Sequence, residues 1–517
     1  MTVKIHEVQA LIVRQWLNEW DEVYFSEDEH RRKPNPEFYL LTLPATYLKK
    51  LSAVYRRKAD KPRSQDTAIQ RTYEKARSEE INKFIHGGFP WSDLSDRQKE
   101  QSEYRDLKMP GWLPTAIVAN ILPPNAVRGK LSLKEEHAIT IKKLNDNWAK
   151  IILPKGFDRK YWEPSIPPIE IIDGQHRLFA FEEDDRINGD YYLPVVAFYD
   201  LDITWQAYLF FTINIKPKKI NISLAYDLYP LLRIQDWLEK SPNGPIVYRE
   251  TRAQELTEVL WSHPRSPWKG RINMLGEKKG GDVTQAAFIR SLLTSYVKRR
   301  GPGTPIGGLF GDELVKKMGN ILRWSRVKQA AFLIVVWECM QEAVKESTES
   351  WAKSLRRQAV QKQLPLVGQE TTKLDPAFAG SYSLLATDQG VRGVLQVTND
   401  MCFMGAEKLD LAGWMLKDVT SEDELNESTI NTAVVSLETH PVKKYLATIC
   451  RELTRFDWRT SSAPDIITDE ARRRAQMVFK GSSGYKELRN QLITLLCSTE
   501  DQLIRSNAIQ VKNFLGY

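Results

Sequence analysis

Five consecutive residues, Asp173, Gly174, Gln175, His176 and Arg177, place a carboxylate, an amide, an imidazole and a guanidinium around one glycine. The short strand-like run Ile169 to Ile172 precedes them, and a mixed helical pattern follows. That order predicts strand, tight turn, helix. Backbone N–H groups at such a turn favour anions. Gly174 has no Cβ and lets the backbone approach a ligand closely. Arg177 can donate two parallel bonds to phosphate oxygens, and His176 one more. Asp173 can hold Mg²⁺ through water or bind a ribose hydroxyl. Gln175 offers both a donor and an acceptor. Together these suit a nucleotide phosphate better than a neutral ligand. A plainer reading fits the same residues: Asp173 caps the next helix and pairs with Arg177 four positions on.

The elements expected to position this turn read as an α/β unit. A strand over 38–43 leads to a helix over 44–54, and a charged helix spans 65–85. Pro114 opens a strand through Ala119, since a proline is tolerated at a strand's first position. After the motif come a helix over 178–187, a strand over 193–199 and a helix over 204–213. That last helix runs into Asn214 and Lys216, two further candidates for nucleotide contact. Asp200 and Asp202 at a strand end are either solvated acids or an Mg²⁺ site. Residues 1–37 read as helix followed by loop, and 130–150 as mainly polar chain. Ser95 with Gln98 makes a capping box.

The chain of 517 residues is long enough for two to four domains. Hydrophobic content of 42% and charged content of 27% are ordinary for a globular protein and argue against a disordered or fibrous chain. A net charge of +8 permits nucleic-acid contact without requiring it. Cys339, Cys402, Cys450 and Cys497 are far apart, which disfavours a zinc site or disulfide framework and predicts reduced thiols in a cytoplasmic setting. The N-terminus lacks the pattern of a signal peptide. The longest apolar run, Ala330 to Trp337, is too short to span a bilayer. No membrane partner is expected.

From about Leu224 onward the pattern is largely helical, with the strongest helix centred on Ala330 to Ala343. Thr284 or Asp282 is placed to cap a helix from Gln285. Residues 368–383 read as a loop or lid. The expected division is an α/β domain over 1–235 and a helical domain over 236–517. Arg265, Trp268, Lys269, Arg271, Lys278 and Lys279 form the best basic and aromatic patch. Its cations suit DNA phosphates, with Trp268 either stacking on a base or packing inside. A solvated basic face explains the same residues.

Asp173-Gly174-Gln175-His176-Arg177 resembles the signature of the DGQHR family, which is similar to the ParB/sulfiredoxin fold and is linked to bacterial DNA modification and phage defence. The family takes in the sulfur-modification regulator DndB and the deazaguanine-insertion protein DpdB. The flanks carry the likeness over roughly 38–225: the run from Phe38 to Leu43, Ile81 to Ile85, the proline-led Pro114 to Val118, and Phe211-Thr212-Ile213-Asn214. Sulfiredoxin-like turns read Gly-Cys-His-Arg and ParB-like turns Gly-Glu-Arg-Arg. Gln175 stands where one has a thiol and the other a carboxylate, which argues against sulfur repair chemistry and leaves the metal geometry in doubt. The resemblance implies an ATP-binding, ATP-hydrolysing component that assists a transglycosylase-like partner inserting a 7-deazaguanine-type base into DNA. Catalytic roles would fall to Asp173, Gln175, His176 and Arg177. Nucleotide contacts would fall to Gly174, His176, Arg177, Asn214 and Lys216. The alternatives are a DNA-binding regulator of a phosphorothioation system, or a scaffold of a defence complex.

Overall fold

The structure is a computed structural model. It describes residues 6–28, 30–53, 74–159, 161–181, 191–214, 221–232, 238, 244–276, 283–299, 306–310, 322, 324–362, 374–416, 425–464 and 481–516. The chain divides into two compact units, Met1–Lys219 and Ile220–Tyr517.

The first unit is built on a mixed eight-stranded sheet. Its strands are β1 (Glu7–Arg14), β2 (Glu37–Pro44), β3 (Ser52–Ala53), β4 (Ile117–Ile121), β7 (Thr140–Lys143), β8 (Trp148–Ile152), β9 (Ile169–Asp173) and β10 (Tyr192–Tyr199). A separate hairpin pairs β5 (Val127–Arg128) with β6 (Leu131–Ser132). The sheet order is β3-β9-β4-β10-β2-β1-β8-β7. β10 pairs with β4, and β3 with β9, in parallel; the other neighbours are antiparallel. Five helices accompany it: α1 (Ala45–Leu51), α2 (Lys75–Gly87), α3 (Asp96–Lys99), α4 (Gln175–Phe179) and α5 (Ile203–Asn214). The core gathers alternate strand residues such as Leu41, Leu43, Ile117, Ile171 and Val195 with Leu48 and Leu178. This is the period-two burial that a half-covered sheet requires. The Ser95–Gln98 capping box opens α3 as expected.

Three local expectations change. Residues 7–14 form a strand where helix and loop were predicted: Val8, Ile12 and Val13 are β-branched, and Ala10 and Ile12 point inward. Residues 130–150 contain β7 and most of β8. β7 is an edge strand whose exposed Lys142 and Lys143 hide its nature, as edge strands commonly carry charge. The helix after the motif starts at Gln175, three residues earlier than predicted, and its predicted continuation beyond 181 lies outside the described residues.

The second unit is helical. Its described helices are α6 (Ile222–Asp227), α7 (Tyr229–Leu232), α8 (Ile246–Ser262), α9 (Gln285–Leu293), α10 (Arg326–Glu346), α11 (Ser350–Lys362), α12 (Pro376–Ala379), α13 (Asp388–Gly405), α14 (Glu427–Glu438), α15 (Pro441–Leu453), α16 (Gly481–Leu496) and α17 (Gln502–Leu515). α10 is buried on nearly every side from Val327 to Trp337, which its all-round apolar sequence demands. Thr284 caps α9 by accepting from the Ala287 N–H. The glycine-serine run from Gly481 forms the first turn of α16. Cys339, Cys402 and Cys450 are buried thiols. Burial pushes the Cys339 thiol up to about 11. Among the described residues no helix is long and apolar enough to cross a membrane.

Trp268 belongs to this core. It is 1% exposed, meeting Phe288 and Trp337 edge-on at ring-centre distances of 4.8 and 5.1 Å. It therefore has no face to offer a base, and its place in the proposed DNA patch is corrected. Trp268→Ala should destabilise the second unit by about 3–5 kcal/mol, as large-to-small changes of buried Trp do. Urea unfolding followed by circular dichroism measures this; a loss below about 1 kcal/mol would contradict the buried placement.

Candidate functional site: the 173–177 turn and the buried carboxylate behind it

β9 delivers Asp173 to the sheet's end, and Gly174 turns the chain into α4 with φ +95°. A side chain there would be strained by that φ, and its Cβ would meet Ile117 Cδ1 at 2.5 Å and Arg177 Nη2 at 3.0 Å. Glycine is required by space as well as by conformation.

Arg177 Nη2 donates to Asp173 Oδ2 at 2.7 Å, and its Nη1 donates to the Thr115 carbonyl at 2.7 Å. Asn214 Nδ2, from the last residue of α5, donates to the other carboxylate oxygen, Oδ1, at 3.0 Å. Asp173 and Arg177 are both mostly covered, with side chains 16% and 17% exposed. Burial holds the Arg177 guanidinium below its ordinary value; Asp173 works against that, and exposed Arg77 on α2 adds to it. Gln175 is 7% exposed, and its Oε1 is buried without a hydrogen-bond partner among the described residues. His176 is half-buried, and its backbone carbonyl accepts from Ser78 Oγ on α2 at 3.2 Å.

The predicted residues Asp173, Gly174, Arg177 and Asn214 thus meet in one cluster. Lys216 lies outside the described residues. The expected pairing of Asp173 with Arg177 is present, whereas no side-chain bond from Asp173 to the helix start is recorded. Among the described residues Asp173 is the one carboxylate in the cluster, and both its oxygens are engaged. Among the described residues no three His, Cys, Asp or Glu side chains are grouped to hold a metal ion. Asp200 is exposed, as a solvated acid would be, whereas Asp202 is mostly covered, and among the described residues neither belongs to a group that could hold Mg²⁺. Arg32 binds Asp202 Oδ1 through Nε at 2.9 Å and Nη2 at 2.6 Å, and reaches Asp200 Oδ2 at 3.2 Å.

Behind the turn lies a group that the sequence reading missed. Glu170 on β9 has a side chain 6% exposed. Arg128 clamps it with both arms, Nε to Oε1 at 2.6 Å and Nη2 to Oε2 at 2.8 Å. Asn120 of β4 and Gln206 of α5 each donate to Oε2 at 3.1 Å. Asn120 also accepts from the Leu201 N–H, and Gln206 donates to the Leu201 carbonyl, both at 2.9 Å. The available signal was a lone carboxylate between isoleucines, because a charge buried in a strand must find partners.

In the helical unit, Arg265 is held by Glu338 and Glu438. Arg271 lies 4.7 Å over the Trp268 ring and donates to the Pro267 carbonyl. Lys269 is exposed, and Lys278 and Lys279 lie outside the described residues. Of the four described residues of this patch, Trp268 is buried and the cations Arg265 and Arg271 are already engaged.

Residues 32–233 match the family model of DndB, described as DNA-sulfur modification-associated. The matched stretch contains the 173–177 turn, Glu170 with its partners, and Asn214. No curated protein matches the chain. No solved structure matches it either, so the expected ParB/sulfiredoxin likeness has no counterpart to set it against. The family match points to a component of a DNA-modification system.

Arg128→Ala leaves Glu170 buried without its cation. The first unit should lose about 3 kcal/mol, the lower end for breaking a buried pair, because Arg128 is itself a third exposed. Adding Glu170→Gln should return part of that loss. Thermal unfolding of both variants measures this, and an Arg128→Ala protein as stable as the native chain would show that the clamp carries no weight.

Proposed function

We propose that the 173–177 turn is a nucleotide-phosphate site in a component of a DNA-modification system. The observation that carries the reading is Arg177, a guanidinium largely withdrawn from water with one carboxylate among the described residues to answer it and a second cation, Arg77, acting on it. An incoming phosphate would add negative charge to this field. The buried acceptor Gln175 Oε1 offers a place for a ribose hydroxyl or a base amino group. Gly174 keeps the backbone bare at the point of approach.

ATP is the nucleotide of this proposal, and its hydrolysis the activity. One carboxylate, Asp173, can serve Mg²⁺ only together with the nucleotide's own phosphates, the usual mode for this ion. Binding would exchange the Arg177–Asp173 pair for an Arg177–phosphate pair, leaving Asp173 to Asn214 and the metal's water. The ParB/sulfiredoxin-like architecture belongs to the same reading. The description of the matched family supports a sulfur-modification setting over the insertion of a 7-deazaguanine-type base with a transglycosylase-like partner. Turnover would drive work on DNA, where even extruding one base costs on the order of a few kcal/mol.

Phosphate release from Mg-ATP, with and without duplex DNA, tests this on the native chain, Arg177→Ala and Gln175→Ala. Arg177→Ala should lower turnover at least about tenfold, as loss of a charged phosphate contact does. Gln175→Ala should raise KM for ATP more than it lowers kcat. Absence of turnover in a native protein that binds DNA independently of nucleotide would replace this reading with that of a regulator.

A further inference from the structure

The first unit holds a second concavity that the nucleotide turn does not use. It encloses about 600 Å³ between the N-terminal segment and the start of α5. Such a volume is typical of pockets for small organic groups. Its lining is dominated by rings. Trp16 meets Trp20 edge-on at 5.6 Å and lies near-parallel to Phe25 at 6.3 Å. Phe25 reaches Trp205 at 6.2 Å, and Phe38 packs against Phe198 at 5.3 Å. Trp20 and Tyr208 are exposed, at 41% and 57%.

Two of the ring N–H groups are already engaged. Trp16 Nε1 donates to Asp21 at 3.1 Å, and Trp205 Nε1 to the Arg32 carbonyl at 2.8 Å. These bonds fix Trp16 and Trp205, and the exposed Trp20 and Tyr208 rings present the contact surface. The other polar lining groups are the neutral side chains Gln15, Asn35 and Thr204, with one cation, Arg31. No carboxylate is among the described lining residues.

This chemistry selects among ligands. A cationic guest is disfavoured by the Arg31 cation of the lining, with no acid among the described lining residues to offset it. The Arg31 guanidinium already stands 4.8 Å over Trp205, and the Lys33 ammonium 5.2 Å over Trp16. A planar, neutral ring with hydrogen-bonding edges matches: aromatic faces to stack on, amides to read an edge, and a guanidinium for an attached phosphate. We infer that this pocket receives an unpaired base of a DNA strand. The choice of DNA over a proline-rich peptide, which also docks on aromatic surfaces, follows from the family match; Trp16, Trp20 and Phe25 themselves precede the matched stretch. The pocket is separate from the nucleotide turn, and the inference stands whether or not that turn binds ATP.

Anisotropy of a fluorescein-labelled single-stranded oligodeoxynucleotide tests it on the full chain, against an abasic strand of equal length and a labelled proline-rich peptide. The native protein should bind the base-bearing strand about tenfold or more tighter than the abasic one, the scale of one stacked base. Trp20→Ala and Tyr208→Ala alter exposed rings and should remove that preference without shifting the melting temperature appreciably. Arg177→Ala should leave it intact, which separates this result from the fate of the nucleotide turn. Equal affinity for the abasic strand, unchanged preference in both ring variants, or capture of the peptide in place of DNA would each overturn the inference.

Discussion

The first unit depends on one buried charge. Glu170 sits in a strand whose other residues are isoleucines and a terminal aspartate, and a bare carboxylate there would cost several kcal/mol. Three groups from three elements answer it: Asn120 on β4, Arg128 on the small hairpin and Gln206 on α5, with the Leu201 backbone holding Asn120 and Gln206 in turn. Each partner is thereby fixed against β9. The charge contributes little net stability when fully satisfied, but it penalises any arrangement in which one partner is displaced.

That constraint reaches the functional turn through α5. Gln206 is bound to Glu170, and eight residues later Asn214 is bound to Asp173. Eight helical residues rise about 12 Å, and three strand residues about 10 Å. The two spans agree, so α5 runs alongside β9 in the same direction and is attached to it at both ends. Asn214 is exposed and sits at a helix terminus, where fraying would otherwise be expected. Its bond to Asp173 therefore leans on the buried attachment at Gln206. Asp173 in turn holds Arg177, the group proposed to meet a phosphate.

The strands of apolar or alternating sequence were legible, because β2, β9 and β10 carry their burial pattern openly. So was the Asp173–Arg177 pair, whose spacing of four is a local relation. The Glu170 network was not legible, since its partners lie 50, 42 and 36 positions away and nothing local names them. β1 escaped because the exposed Leu11 between buried Ala10 and Ile12 is itself apolar and blurs the alternation, and β7 because it is a charged edge. Trp268 misled for a related reason. Its basic neighbours face outward or pair with acids, so the segment looks like a DNA surface, while the ring itself turns into the core. Composition along a segment does not say which side chain points inward; the facing elements decide that.

The position of α5 also bears on how the two sites of the first unit relate. Thr204, Trp205 and Tyr208 line the aromatic pocket near the helix start, and Asn214 closes the nucleotide turn at its end. From Trp205 to Asn214 the helix rises about 13 Å. Asp202, just before the helix, is held by Arg32, which bridges to the chain segment forming the pocket's other wall. Burial alone would raise the Asp202 carboxyl, but the Arg32 bonds outweigh it and hold it below its ordinary range. A base entering the pocket would press on the first turns of α5, and a phosphate taking Arg177 would release Asp173 onto Asn214 at its last. Between them stands the Gln206–Glu170 attachment, which resists sliding of the helix along β9. Coupling between the sites would then require that buried amide to shift its bonds. Whichever residue occupies position 206 therefore sets how rigidly the pocket and the turn are joined.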